Sequence, residues 1–154
     1  MKKIWNSAFA LLLLTMSWQH ALAQEAASNL TGIWLNTESD VLAFLTIIQK
    51  DNGQLAIIGT SEVNLVVVEG LLSGASLGQA DPAALGENIG TAMSFPDAYY
   101  NADLSFNLHR PSADELLIEL TSCSVPEGNP TSCDLIQQQS GFTLNERIRH
   151  TRAF

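Results

Sequence analysis

The chain has 154 residues, with 16 Asp and Glu against 7 Lys and Arg, and 46% of it is hydrophobic. That length fits one domain with one core. So acidic a balance excludes nucleic acid and anionic lipid as partners, because phosphate groups repel it.

Residues 1–23 read as a secretory signal peptide. Lys2 and Lys3 form a positive start, Ala8 to Trp18 an apolar centre, and Ala21-Leu22-Ala23 a small-residue cleavage site. The apolar centre is too short to span a bilayer, which takes about 20 residues. No later segment is long and apolar enough for membrane insertion. Export to the periplasm or the medium is therefore expected, with residues 24–154 as a single domain. Without Lys2 and Lys3, five cations (Lys50, Arg110, Arg147, Arg149, Arg152) face all sixteen carboxylates, a net charge near −11.

The mature chain begins with a loose polar stretch, Gln24 to Asn29. Leu30 to Leu35 then reads as a first strand and carries Trp34, the only tryptophan after the leader. Val41 to Gln49 is β-forming and apolar on both faces. Leu42, Phe44 and Ile48 fall on one side, with Val41, Leu45 and Ile47 on the other. Asp51-Asn52-Gly53 is a hairpin signal of the Asn-Gly kind, which predicts a primed turn. Gln54 to Thr60 returns as the partner strand. Glu62 to Leu72 is a second two-faced run, centred on Leu65-Val66-Val67-Val68.

Two-faced strands need cover on both sides, whereas half-wetted antiparallel strands alternate. Three explanations stay open at this level. The outer face meets another subunit, or a helix or loop covers it, or the inner face lines an apolar cavity.

Ser73 to Asn88 is rich in Gly, Ala and Ser and reads as a long connection. Asp81 is placed to cap one helical turn at Pro82-Ala83-Ala84-Leu85. Such a connection is either a plain insertion or a lid over a barrel mouth. Ile89 to Phe95 follows as a strand. Asp103 to His109 alternates cleanly, with Leu104, Phe106 and Leu108 inward and His109 on the polar side. Glu115 to Thr121 buries Leu116, Ile118 and Leu120. Cys123 and Cys133, the only cysteines, read as a disulfide in an exported chain, closing a Pro- and Gly-bearing loop. Asp134 to Gln139 reads as a weaker strand. Gly141 to Arg149 is the last, with Phe142, Leu144 and Ile148 on one face and Arg147 and Arg149 on the other. His150 is left in the tail.

About eight short strands joined mostly by hairpins predict an all-β fold. An up-and-down antiparallel barrel comes first and a β-sandwich second. Closure removes the edges that such strands would otherwise present.

Gly32-x-Trp34 on a first strand, the all-β pattern and a basic last strand resemble the calycin superfamily: lipocalins, fatty-acid-binding proteins, avidins and small bacterial inhibitors of metalloproteases. The resemblance implies that Trp34 plugs one barrel end and that Arg147 or Arg149 packs across it. Leu30-Thr31-Gly32-x-Trp34-x-Asn36 is most similar to the opening of avidins, which would set Asn36, and Ser61 further on, near ligand positions. The tryptophans that wall a biotin site are missing, so the resemblance reaches the scaffold and not that pocket. The inhibitor barrels share export, size and one disulfide. The resemblance to them makes Gln24 to Asn29 a candidate arm for a protease cleft.

No metal, cofactor or catalytic assembly stands out. The two mature histidines lack the spacing of zinc ligands, and there is no G-x-S-x-G elbow. The glycine-rich 70–90 region has no lysine for a phosphate cradle. The sequence therefore points to an exported binding protein with a small apolar ligand in the barrel, faced by Asn36, Phe44, Ser61, Leu65 and Phe106. The alternative is a protein-interaction module, either a periplasmic protease inhibitor or a barrel that pairs with its own copies.

Overall fold

The computed structural model describes residues 29–38, 43–65, 68–94, 102–129 and 132–154; for 61–65, 68–73, 139 and 140 it describes the backbone alone. Eight strands follow one another: β1 (Gly32–Asn36), β2 (Ala43–Gln49), β3 (Gln54–Leu65), β4 (Val68–Ala80), β5 (Gly86–Ser94), β6 (Asp103–Ser112), β7 (Glu115–Ser124) and β8 (Arg147–Arg152). Each pairs antiparallel with the next, and β8 pairs with β1, so the sheet closes into an up-and-down barrel. Closure sets the sandwich aside.

The interior is filled by alternate residues of every strand. Trp34, Leu45, Ile47, Leu55, Ile57, Ile89, Ala92, Leu108, Leu116 and Ile118 form one buried cluster. Phe106 and Phe142 pack against its edge, their ring centroids 5.5 Å apart. The inward residues of β2 are Leu45, Ile47 and Gln49, so Phe44 and Ile48 belong to the outer face.

Several local expectations are corrected. Residues 73–80 are not a loop. They pair with β3 throughout, from Ser73 opposite Thr60 to Gln79 opposite Gln54. Pairing with a strongly β-forming partner overrides the weak β-propensity of Gly, Ser and Ala. The connection shrinks to residues 81–85, where the Asp81 carboxylate accepts from the Ala83 N–H (2.9 Å) and no helical turn forms. The run Glu62–Leu72 is divided between β3 and β4, because Leu65 stands opposite Val68. Beyond Ser61, the last position of β3 that pairs with β2, this ladder continues outward as a hairpin. Val41 and Leu42 lie outside the described residues, as do the leader and the Gln24 to Ser28 part of the candidate arm.

The Asp51–Gly53 turn is a hairpin of another type than expected. The Gly53 N–H donates to the Lys50 carbonyl (2.9 Å) and the Lys50 N–H to that of Gln54 (2.8 Å), with Gly53 at φ 85° and Asn52 not in the left-handed region. This is a three-residue loop ending in a left-handed glycine, the common alternative to a primed turn.

Residues 134–139 are not a strand but the body of helix α1 (Cys133–Ser140). The Ser132 hydroxyl accepts from the Leu135 N–H, Asp134 lies in the first turn, and Gly141 ends the helix at φ 75°. A serine cap and a C-terminal glycine are strong helix signals, and they bracket the helix in the sequence itself. The Cys123–Cys133 disulfide ties the helix start to β7. β8 begins only at Arg147. Asn145, at φ 62°, donates to the Leu120 carbonyl in the turn before it, and Glu146 is exposed there rather than inside.

Candidate functional site

One barrel end is sealed by residues 29–31 and the last strand. The Trp34 indole N–H donates to the Leu30 carbonyl (2.9 Å), and the Arg152 guanidinium lies 4.5 Å over the indole ring. Arg152 also donates to the Thr31 and Asn29 carbonyls. Gln49 completes the seal, accepting from the Leu30 N–H and donating to the Ala80 carbonyl. The glycine of the G-x-W motif has a local reason. Gly32 sits at φ 149°, and a Cβ there would collide with the Phe154 carbonyl that accepts from the Ile33 N–H.

The arginine over Trp34 is thus Arg152, not Arg147 or Arg149. The strand pattern explains why. Ile148, His150 and Arg152 share the inward parity, while Arg147 and Arg149 face outward. The same parity is legible in the sequence, but the expected last strand stops at Arg149, three residues short of this arginine. His150 is buried in this strand rather than free in a tail. Burial pushes its imidazole down to about 4, against a weaker upward pull from its bond to the Ile148 carbonyl.

Of the residues expected to face a ligand, Phe44 and Phe106 are placed on opposite faces. Phe44 lies on the outer face, opposite Leu35 and Thr60. Phe106 lies on the inner face beside Phe142. Asn36 uses its side-chain oxygen to accept from the Glu38 N–H (2.8 Å), which shapes the turn after β1. Ser61 and Leu65 stand in β3 opposite Leu72 and Val68, and their side chains lie outside what is described.

Two other features do converge, one on each side of the barrel. On β6–β8 and the start of β5, His109 is 1% exposed although it faces outward. Glu87 and Glu119 cover it, with Glu87 Oε2 2.9 Å from Nδ1 and Glu119 Oε2 3.0 Å from Nε2. The Asn88 N–H also donates to Nδ1 (3.1 Å), from a left-handed residue (φ 52°) in the irregular stretch between Gly86 and Gly90. Arg147 bridges Glu87 at 2.7 Å and Glu119 at 3.6 Å. Its hydrogen bond is the main reason the Glu87 carboxyl is held below the usual carboxylate range. Sequence reasoning missed this cluster because Glu87 was assigned to a loop. Among the described residues, no group of three His, Cys, Asp or Glu side chains is arranged to hold a metal.

The outer wall of β1–β5 is the opposite in character. Ile48 stands across from Ala56, Ala56 from Leu77, and Leu77 from Met93. The next row is Thr46, Ile58 and Ala75. Leu35 and Phe44 begin a third. Ile48, Ile58, Leu77 and Met93 are 55, 43, 52 and 58% exposed, and Leu35 is 38% exposed. No Asp, Glu, Lys or Arg stands in these rows. The two-faced character of residues 41–49 was the sequence signal for this wall.

Comparison with family models, with curated proteins and with solved structures finds no match.

Proposed function

We propose that this is an exported, calycin-like barrel that works as a protein-interaction module, docking a partner on the outer wall of β1–β5. One observation carries this reading: the uncharged cross-strand rows with Leu35, Ile48, Ile58, Leu77 and Met93 left in solvent. Scattered surface apolar residues need no explanation, but a contiguous apolar patch marks an interaction site. The leader pattern and the disulfide support export, and the G-x-W strand supports the family resemblance.

The ligand-in-barrel reading has less to stand on. Phe44, one of its proposed contacts, lies on the outer face, and inward side chains from Trp34 to Ile118 pack on one another. Site-specific photocrosslinking in the exporting cell separates the two. A crosslinker at Ile58 is expected to give a protein adduct that Leu77→Glu abolishes, while one at Thr143, in the exposed turn before β8, gives none. No adduct at either position, with a small molecule retained in native mass spectrometry, would return the function to the interior.

A further inference from the structure

We infer that the partner of the uncharged wall is a second copy of this chain, packed wall to wall about a two-fold axis; this rests on the docking reading above. Charge is the first argument. The chain carries a net charge of −9, so copies repel each other in general. The β5–β8 side presents Glu87, Glu115 and Glu119 along with Arg147 and Arg149, and these already pair among themselves. At the closed end, the hairpin and turns bring Asp51, Asp81 and Asp114. Among the described side chains, the rows around Leu77 are the surface on which two acidic copies meet without opposing carboxylates; Glu62 and Glu69 stand further along β3 and β4, outside these rows. This surface also buries no unpaired charge when covered by itself, the condition under which burying charge becomes costly. A partner chosen by charge would find nothing there to read.

Shape and area agree. Because the barrel closes, β1 and β2 offer no free edge along the patch, so contact is between faces. An isologous pair needs one self-complementary patch. The row Ile48-Ala56-Leu77-Met93 leaves a gap at Ala56 between large side chains, into which a large side chain of the other copy fits. Five strands spaced ~4.8 Å apart and four residues at ~3.4 Å each define a patch of a few hundred Å². Two such patches bury less than the ~1,000 Å² of a stable interface, which fits a weak, reversible dimer rather than an obligate one.

Sedimentation velocity on the purified exported chain tests this, with Leu77→Glu, Ile48→Glu and the control Thr143→Glu in the exposed turn before β8. The native chain is expected to shift from monomer to dimer as concentration rises from about 1 to about 300 µM. Leu77→Glu and Ile48→Glu should weaken the dimer at least ~10-fold, and Thr143→Glu should leave it intact. If Leu77→Glu does not fold, by circular dichroism, Met93→Gln replaces it and should still weaken the dimer. A native chain that stays monomeric throughout, or a dimer indifferent to these changes, overturns the proposal. The Ile58 crosslinker keeps the two failures apart. A monomeric chain that still gives a wall-dependent adduct with another protein loses the dimer and keeps the docking wall. A monomeric chain with no adduct loses both.

Discussion

The two halves of the barrel's outer surface share one core and one hydrogen-bonded wall, yet they are finished in opposite ways. On the β5–β8 side, Glu87 and Glu119 meet Arg147 and His109, and Glu115 meets Arg149. Each of these charges is answered within the same molecule. The rows of β1–β5 around Leu77 hold no charge to answer, and Ile48, Ile58, Leu77 and Met93 face solvent. Inward residues are dictated by the need to fill the barrel. Outward residues are not, so a difference on the outside reports a use rather than a fold. Among the described residues, the ionic side pairs its charges internally, while the apolar rows are left in solvent.

The largest effect should come where the two halves join. β1 and β8 meet there, and Trp34 under Arg152 seals the join. Trp34→Ala is expected to lower stability by roughly 3–5 kcal/mol in urea denaturation, through the lost burial and the cavity left behind. A loss below about 1 kcal/mol would show that the two halves hold together without this seal. Arg152→Ala should cost less, about 1–2 kcal/mol, from the stacking and the carbonyl contacts.

The next effect is set by pH on the same join. His150 faces inward opposite Leu116 and Asn36, and its folded value of about 4 lies below the unfolded 6.5. The unfolded chain therefore takes up this proton first as pH falls. Stability from neutral His150 is complete above 6.5, declines between 6.5 and 4, and loses nothing more below that. The expected loss is about 3 kcal/mol. His150→Leu should flatten the denaturation profile in this window. An unchanged slope would place the acid sensitivity elsewhere, first on Glu87, whose carboxyl the Arg147 guanidinium holds below the usual carboxylate range. Reducing the Cys123–Cys133 bond follows, at about 2–3 kcal/mol for so short a loop. It should loosen α1 from β7 and leave both outer walls as they are.

The sequence and the structure part company at identifiable physical points. Strict alternation made β6 and β7 legible, because Leu104, Phe106, Leu108 and Leu116, Ile118, Leu120 differ in polarity from their neighbours. β4 was not legible. Its residues 73–80 are weak β-formers held in place by seven cross-strand pairings with β3, a long-range cause that composition does not carry. The helix at 133–140 was legible in principle through Ser132 and Gly141, but its short apolar run read equally well as a strand. The apolar wall was half legible. Two-faced apolar character showed that β2 needs something outside it, while only the register shows that Ile48, Leu77 and Met93 share a row. The ionic cluster was illegible, since Glu87 and His109 meet through an irregular pairing of β5 with β6.

The smallest effects on stability separate the two halves most cleanly. Arg149 is half-exposed and pairs with Glu115 at 3.0 Å. Arg149→Ala should cost about 0.5 kcal/mol, and 1 M salt should erase most of that cost, as for other solvent-exposed pairs. Its dimerisation and crosslinking should match the native chain. Ile58→Gln is the mirror case. Ile58 is 43% exposed and its neighbours Thr46 and Ala75 are small, so stability should change by less than about 0.5 kcal/mol, independently of salt. The same change should weaken association severalfold, because it places an amide in the middle of the apolar rows. If Ile58→Gln instead destabilises the fold and leaves association alone, the apolar side is structural cover rather than a docking wall, and the difference between the two halves loses its functional meaning.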